Sequence, residues 1–426
     1  MVSGKADKVD FTSGDDLRVS ITGMAHGGEG IARLSDGRVV FVRGAYPGDT
    51  VDVKLNDIKK KFARAHLVEV VEASEFRAPQ VCPAAELGAG CCDFGTVAPD
   101  REVELKARVL EDQLARMARG IKFPAVETVT MPPHRGWRTR ARFGVDTQGR
   151  AGTRKVGSND LITSVACNQL VHGLADDIVG EGVRIFTPGA EVIAVVDSQG
   201  NRNVVETRKA PRGKRIEKTT ELIEGSGTVV ESVAGVKFAF PPHAFWQAHA
   251  QSPTEYSECV MSWVSHAVDG MKSRNKQPVA WDLYGGVGMF VPALERALRT
   301  METEEAPKIV SVDFSPAANA ASQPGLQDID VEIVQSTVES AVPQLIAPDV
   351  VILDPPRTGA GEAAIQHIAQ AQPQLVIHVG CDPATFARDM KDWDTQGYQV
   401  KKMKLFNAFP GTHHFEVIAM LEPTQS

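Results

Sequence analysis

The sequence predicts a chain of three parts. The C-terminal half reads as an α/β, Rossmann-like doubly wound domain, set behind a small antiparallel β-barrel and a β-rich central segment. Three observations carry this. From about Pro241 short apolar strands alternate with helices, the first strand runs into the glycine turn GGVG, and the second ends in Asp313. Residues 17–71 are instead short alternating strands punctuated by HGGEG, Asp36-Gly37 and Pro47-Gly48. The stretch between them is strand-like and carries close-set cysteines and repeated arginines. The expected boundaries are 1–75, 76–240 and 241–426.

Composition narrows the class. At 426 residues and 42% apolar the chain can bury a sizeable core in two or three domains. No apolar run approaches the roughly 18 residues of a membrane span, and MVSGKADKVD lacks the apolar core of a signal peptide, so a cytoplasmic location is expected. The formal charge of −8 means that any nucleic acid must be held by local basic patches. Six cysteines are too few for a disulfide scaffold, and Cys82, Cys91 and Cys92 instead suggest metal or cluster ligation.

Taken in order, residues 1 to about 14 are polar, and the barrel that follows carries Lys59, Lys60, Lys61 and Arg64, either a solvated face or a phosphate contact. After the glycine-rich CPAAELGAGCC a helix is expected over about 100–119, with apolar residues at Val103, Leu105, Val109, Leu110, Leu114 and Met117. In WRTRARFGV, Arg138, Arg140 and Arg142 alternate along a strand beside Trp137 and Phe143, a pattern suited to tracking phosphates and stacking bases. More basic residues follow at Arg208, Lys209, Arg212, Lys214, Arg215 and Lys218. A helix over 253–268 then precedes the strands 279–284, 308–313, 331–334, 350–353 and 375–379, with a helix capped at Ser315-Pro316 after the second.

The chain is organised around LVIHVGCDPATFARD. The apolar run Leu375 to Val379 is a buried strand, and Asp382-Pro383 starts a helix, so Cys381 falls at a strand-to-helix corner. A helix N-terminus stabilises a thiolate, although a lone cysteine is by default a small buried hydrophobe. Two further strand ends supply carboxylates: VVILDPPRTG brings Asp354, and FNAFPGTHHFEVIAML brings Glu416. The glycine turn departs from GxGxxG, with Val291 at the third position, which disfavours a dinucleotide. An adenosine ligand whose ribose hydroxyls bond to Asp313 fits better, and S-adenosylmethionine is the common example.

These motifs resemble the RNA uracil-5-methyltransferases, which form 5-methyluridine in ribosomal and transfer RNA, and the resemblance spans most of the chain. Residues 17–71 look like the TRAM barrel, FWQAH resembles the family's Phe-Phe-Gln-Val-Asn, and DLYGGVGMF resembles its Asp-Leu-Tyr-Cys-Gly-Val-Gly-Leu-Phe. VVILDPPRTG, GCDPATFARD and FNAFPGTHHFE resemble its Asp-Pro-Pro-Arg, nucleophile and C-terminal motifs. The resemblance implies a class I methyltransferase domain in which Gln247, Tyr284, Asp313 and Asp354 contact S-adenosylmethionine, Cys381 is the nucleophile and Glu416 the base. It also implies an RNA partner, more in keeping with large-subunit ribosomal RNA than with transfer RNA. Where the family has Cys, Glu, an acid, Ser and Asp, this chain has Gly285, Asp313, Thr337, Gly380 and Asn407. Members with a 4Fe–4S cluster carry Cys-x5-Cys-x2-Cys and a later fourth cysteine. The counterparts here are Cys82, the adjacent Cys91 and Cys92, and Cys167, with a zinc site or free thiols as the other readings. Neighbouring side chains in an extended segment point to opposite faces, so both of the pair can ligate only from a turn. Cys259, on the helix over 253–268, is expected to be plain core.

The chemistry explains the residue types. C5 of uracil attacks a methyl sulfonium poorly until a thiolate has added at C6, and the proton left on C5 then needs a base. The target base has to be unpaired or flipped out. Two other functions remain open from sequence. One is an amino-methyltransferase, suggested by Asp354-Pro355-Pro356, which would not need Cys381. The other is a catalytically silent RNA-binding protein, suggested by Thr337 and Asn407.

Overall fold

The computed structural model describes residues 11–209, 218–269, 271–303, 305–315 and 323–424. Arg212, Lys214, Arg215 and the helix start expected at Pro316 lie outside them.

The first body comprises β1 (Asp16–Ser20), β2 (Gly23–Met24), β3 (Glu29–Arg33), β4 (Val39–Arg43), β5 (Thr50–Ile58) and β6 (Phe62–Glu72) in the order β1-β5-β6-β4-β3-β2. Alternation along the strands turns Val40, Val42, Val51, Val53, Leu55, Ala63 and Ala65 into one core while Lys54 and Arg64 face water. The barrel is not wholly antiparallel, because β4 pairs with β6 in parallel.

The short α1 (Pro83–Glu86) and the long α2 (Glu102–Met117) follow, then β7 (Glu127–Thr130). A second six-stranded sheet is built from β8 (Arg140–Val145), β9 (Ala151–Arg154), β10 (Leu161–Ile162), β11 (Glu191–Val196), β12 (Arg202–Lys209) and β13 (Lys218–Glu224). The hairpin of β14 (Val229–Val233) and β15 (Val236–Phe240) closes the segment.

The third body runs α3 (Ser252–Val268), β16 (Val279–Leu283), α4 (Val291–Leu298), β17 (Lys308–Asp313), β18 (Val331–Gln335), α5 (Val338–Ala341), β19 (Val350–Leu353), α6 (Glu362–Gln370), β20 (Leu375–Gly380), α7 (Pro383–Thr395), β21 (Tyr398–Asn407) and β22 (Glu416–Pro423). Its sheet has the order β18-β17-β16-β19-β20-β22-β21-β7, with β16 to β20 parallel and β22 antiparallel to β20. Strands β16, β19 and β20 are buried along their whole length because helices cover both faces, which is why they read as unbroken apolar runs. Alternate residues feed two cores. Ile377, Val379, Ile418 and Met420 meet α3 and α4, while Val376, Val417, Ala419 and Leu421 pack against α7.

The boundary expected at 240 does not separate the layers. Strand β7 pairs in parallel with β21 as the last strand of the eight-stranded sheet, and Leu110 and Leu114 of α2 share a core with Trp281, Phe386 and Leu405. Sequence gave no sign of this, since β7 is four residues long and its partner lies almost 280 positions away. The base-stacking surface expected around 137–143 is also corrected. Trp137 and Phe143 are buried, Arg140 lies over Phe240, and burial holds the Arg140 guanidinium down to about 10. Only Arg142 of the three arginines is well exposed, and it pairs with Glu191 at 3.3 Å. Lys60 is exposed at the β5–β6 turn, and Cys259 is core as expected. No described helix is long and apolar enough to cross a membrane.

Candidate active site and four-cysteine centre

The parallel strands end together. Leu283 is in register with Val312 and Leu353, so Tyr284, Asp313 and Asp354 emerge along one edge of the sheet. Because β22 runs the other way, its first residue reaches the same edge. Gly380 pairs with Val417, which places Cys381 and Glu416 at the next step of that ladder. The two-residue period gives both of them, and Asp354, the face that packs on α3. Three groups brought together from sequence thus sit side by side, within one crevice of an open α/β sheet.

Their electrostatics differ from what the corner at Cys381 led us to expect. The N-terminal amides of α7 are already engaged, since the Asp382 carboxylate accepts from Ala384 N at 3.0 Å and Thr385 N at 2.9 Å. The helix end therefore does not hold a thiolate. Burial, then the neighbouring Glu416 and Asp354, push the Cys381 thiol up to about 12. Burial and Asp354 hold Glu416 well above the carboxylate range, and burial takes Asp354 to about 7. Arg357 opposes these shifts at both Cys381 and Glu416, and it donates to His414 Nε2 at 3.4 Å. Arginine has no acceptor, so His414 carries its proton on Nδ1. Tyr256 of α3 is fully buried and rests edge-on against Phe406, the cross-strand partner of Glu416.

The glycine turn is built around Asp313, whose Oδ2 accepts from Gly286 N at 3.0 Å and whose Oδ1 accepts from Ser315 N at 2.6 Å. Tyr284 enters the turn with a φ of 59°, a strained value for a non-glycine residue. Two of the departures from the family have local causes. A Cβ on Gly285 would stand 2.3 Å from Asp282 Oδ2 and 2.5 Å from Ser311 Oγ, and one on Gly380 would stand 2.5 Å from the Phe386 ring. A third, Asn407, accepts from the buried Lys106 ammonium at 2.5 Å. Gln247 is buried in the loop before α3, whereas Thr337 only precedes the short α5. Sequence reading singled out neither Phe245 nor Phe314 as site residues; they are 76% and 72% exposed, and Phe314 directly follows Asp313 at the end of β17.

The cysteines meet in a second place. All four ligand sulfurs of Cys82, Cys91, Cys92 and Cys167 lie within 4.8 Å of one another, and all but Cys91 are buried. The adjacent pair reaches because Cys91 sits in a turn and not in extended chain. The sulfurs of Cys82 and Cys167 are 3.7 Å apart and those of Cys92 and Cys167 3.5 Å. Zinc–sulfur bonds of about 2.3 Å place tetrahedral sulfurs about 3.8 Å apart. An iron–sulfur cluster takes the same four thiolates but binds each to a different iron, which asks the sulfurs to spread outward.

A model of the TRAM domain matches residues 10–68, and a model of tRNA (uracil-5-)-methyltransferase matches residues 344–424. An RNA methyltransferase of Corynebacterium glutamicum is 48% identical over 417 residues, covering 97% of this chain and 98% of that one. The 23S rRNA (uracil(1939)-C(5))-methyltransferase RlmD of Shewanella halifaxensis is 28% identical over 442 residues, 95% of each chain. The crystal structure of the Pyrococcus abyssi tRNA (uracil-54, C5)-methyltransferase with S-adenosyl-L-homocysteine shares the fold, with a TM-score of 0.68 at 19% identity over 95% of this chain and 99% of that one.

Proposed function

The chain belongs to the RNA uracil-5-methyltransferases, and from that premise we propose that it methylates C5 of a uridine in RNA, by way of a covalent bond between Cys381 and C6, with Glu416 as the final proton acceptor. The observation that carries this reading is the register that places Cys381 beside Glu416 on the catalytic edge, with Asp354 on the same face.

S-adenosylmethionine, when bound, supplies a methyl group on a cationic sulfonium. The residues that would hold it are Gln247, Tyr284, Asp313 and Asp354, and the crowding of Asp282, Asp313, Asp354 and Glu416 at one edge gives that cation an acidic setting. Burial, with the same crowding, keeps Cys381 protonated in the free enzyme. A cation beside it reverses the bias, so the thiol loses its proton to solvent only in the loaded site. The exposed rings of Phe314 and Phe245 offer stacking faces for adenine and for a flipped base.

Addition of the Cys381 thiolate to C6 moves the C5–C6 electron pair towards O4, and C5 then takes the methyl group. Glu416, as carboxylate, removes the remaining proton from C5. The electron pair of the C5–H bond re-forms the C5–C6 double bond, and sulfur leaves with the electrons of the C6–S bond. Arg357, tethered to His414, favours the anionic form of both Cys381 and Glu416.

The preferred substrate is large-subunit ribosomal RNA. The match over 95% of both chains to an enzyme of 23S rRNA, together with the N-terminal TRAM barrel, supports this choice. The four cysteines would hold a metal group. Its resemblance implies 4Fe–4S and its sulfur spacing suits a single ion, alternatives that metal analysis separates. The test of function is a map of 5-methyluridine in ribosomal and transfer RNA from a strain lacking the protein. One ribosomal position is expected to lose its methyl group. Loss from transfer RNA alone would refute the substrate, and loss from neither would refute the reaction.

A further inference from the structure

Glu416 is the first residue of β22, and the chain reaches it through the loop 408–415. The catalytic domain holds its ends, through buried Ala408 and Phe415 and the contact of Arg357 with His414, but the hydrogen bonds to its middle come from elsewhere. Its backbone groups are taken one after another by residues 93–169, from the part of the chain that also forms the cysteine centre. Phe409 O accepts from Lys106 Nζ at 3.1 Å. Pro410 O accepts from Trp137 Nε1 at 3.2 Å and from Gln169 Nε2 at 2.9 Å. Gly411 N donates to Glu102 at 2.9 Å, and Gly411 O accepts from Phe94 N at 3.0 Å. His413 N donates to Asp93 Oδ1 at 3.2 Å, and the two side chains also pair.

The donors and acceptors are themselves fixed. Glu102 and Lys106 are both buried on α2, one turn apart at 3.9 Å, and Asn407 joins them by accepting from Lys106 and donating to Glu102 at 3.2 Å. Asp93 and Phe94 directly follow Cys92, and Gln169 stands two residues after Cys167. Gly411 has a φ of 77°, and a Cβ there would stand 2.9 Å from Gln169 Nε2, so the loop has no room to shift towards this wall. A buried ion pair stabilises little in itself but fixes geometry when every partner is met, as here.

We propose that Glu102, Lys106, Asp93, Trp137 and Gln169 are positioning residues for the general base. They form a clamp from the cysteine-bearing segment that sets the loop 409–413 and, through it, where the Glu416 carboxylate stands. The proposal rests on the reading of Glu416 as base. It gives the cysteine centre a task in catalysis without any contact with substrate: the turn that bears Cys91 and Cys92, and the chain after Cys167, supply the rigid side of the clamp.

Positioning of the base bears on one step, removal of the C5 proton, and leaves thiol addition and cofactor binding alone. The test uses full-length Gln169→Leu and Lys106→Met with ribosomal RNA fragments and S-adenosylmethionine. Gln169→Leu removes one neutral hydrogen bond and is the variant least at risk of misfolding. Each is expected to slow turnover about tenfold or more with unchanged affinity for S-adenosylmethionine, and to accumulate a methylated protein–RNA adduct as Glu416→Gln does. In hydrogen exchange the amides of Gly411 and His413 should open about tenfold faster, while those of β20 stay as in the wild type. Slower turnover without adduct, or unchanged exchange at both amides, overturns the clamp. If Glu416→Gln holds no adduct either, the base assignment itself has failed, and the exchange data still report separately whether the loop was held.

Discussion

Asp282→Asn should stabilise the protein, and more so at high pH. Asp282 is 1% exposed beneath the glycine turn and accepts from Ser311 Oγ at 3.0 Å. Burial, with Asp354 and Asp313 nearby, raises it to about 7. A carboxyl whose folded value is raised contributes stability that is complete below the unfolded value of about 4 and is lost as pH rises through the folded one. The gap of about three pH units, at about 1.4 kcal/mol each, sets a ceiling of about 4 kcal/mol on that loss. Relaxation around a buried charge brings the realised figure nearer 2 kcal/mol, in keeping with an effective dielectric of about 20. Asparagine cannot titrate, keeps an oxygen for Ser311 and fills the same volume. Urea unfolding at pH 5 and pH 8 is the assay. The stability of the variant relative to wild type should be greater by about 1–2 kcal/mol at pH 8 than at pH 5. An equal difference at both values would show that Asp282 is ionised in the native protein, and would refute the account of a crowded acidic edge.

Gly285→Ala should cost about 1–3 kcal/mol, because its Cβ would overlap Asp282 and Ser311; urea unfolding reads it. Lys60→Ala should weaken RNA binding and lower the salt slope by about one, as measured by filter binding across salt concentrations. Arg140→Ala should leave that slope unchanged. It should instead lower the melting temperature, because Arg140 covers Phe240 and keeps the buried Glu231 from rising further above about 7. Cys167→Ala should lose both bound metal and thermal stability by elemental analysis and calorimetry, and retained metal would exclude Cys167 as a ligand.

How much of this could be read from sequence depends on how far apart the interacting residues lie. The strands ending at Leu283, Leu353 and Gly380 are legible because each is a short, unbroken apolar run bounded by turn residues, and the chemistry follows directly on each. The corner at Cys381 was legible as geometry but not as electrostatics. The cap by Asp382 and the burial of the thiol beside Glu416 and Asp354 reverse the expected bias. Trp137 and Arg140 read as an RNA surface because aromatic and basic residues alternate there in either case, and only packing against Phe409 and Phe240 shows that they face inward. The clamp on the loop 409–413 is invisible in sequence. Its partners are separated by 241 to 320 positions and follow no periodicity.

The central claim is a division of labour between a thiol that must add and a carboxylate that must then take a proton. Intact-mass analysis of the protein after reaction with S-adenosylmethionine and substrate RNA, followed by denaturation, tests it most directly. Cys381→Ala should carry no RNA, even with 5-fluorouridine at the target, where wild type is trapped because fluorine does not leave as a cation. Glu416→Gln should carry RNA of unmodified sequence, heavier by one methyl group, because addition and transfer proceed while proton removal stalls. An adduct on Cys381→Ala, or turnover by Glu416→Gln at the wild-type rate with free RNA as the product, would contradict the mechanism.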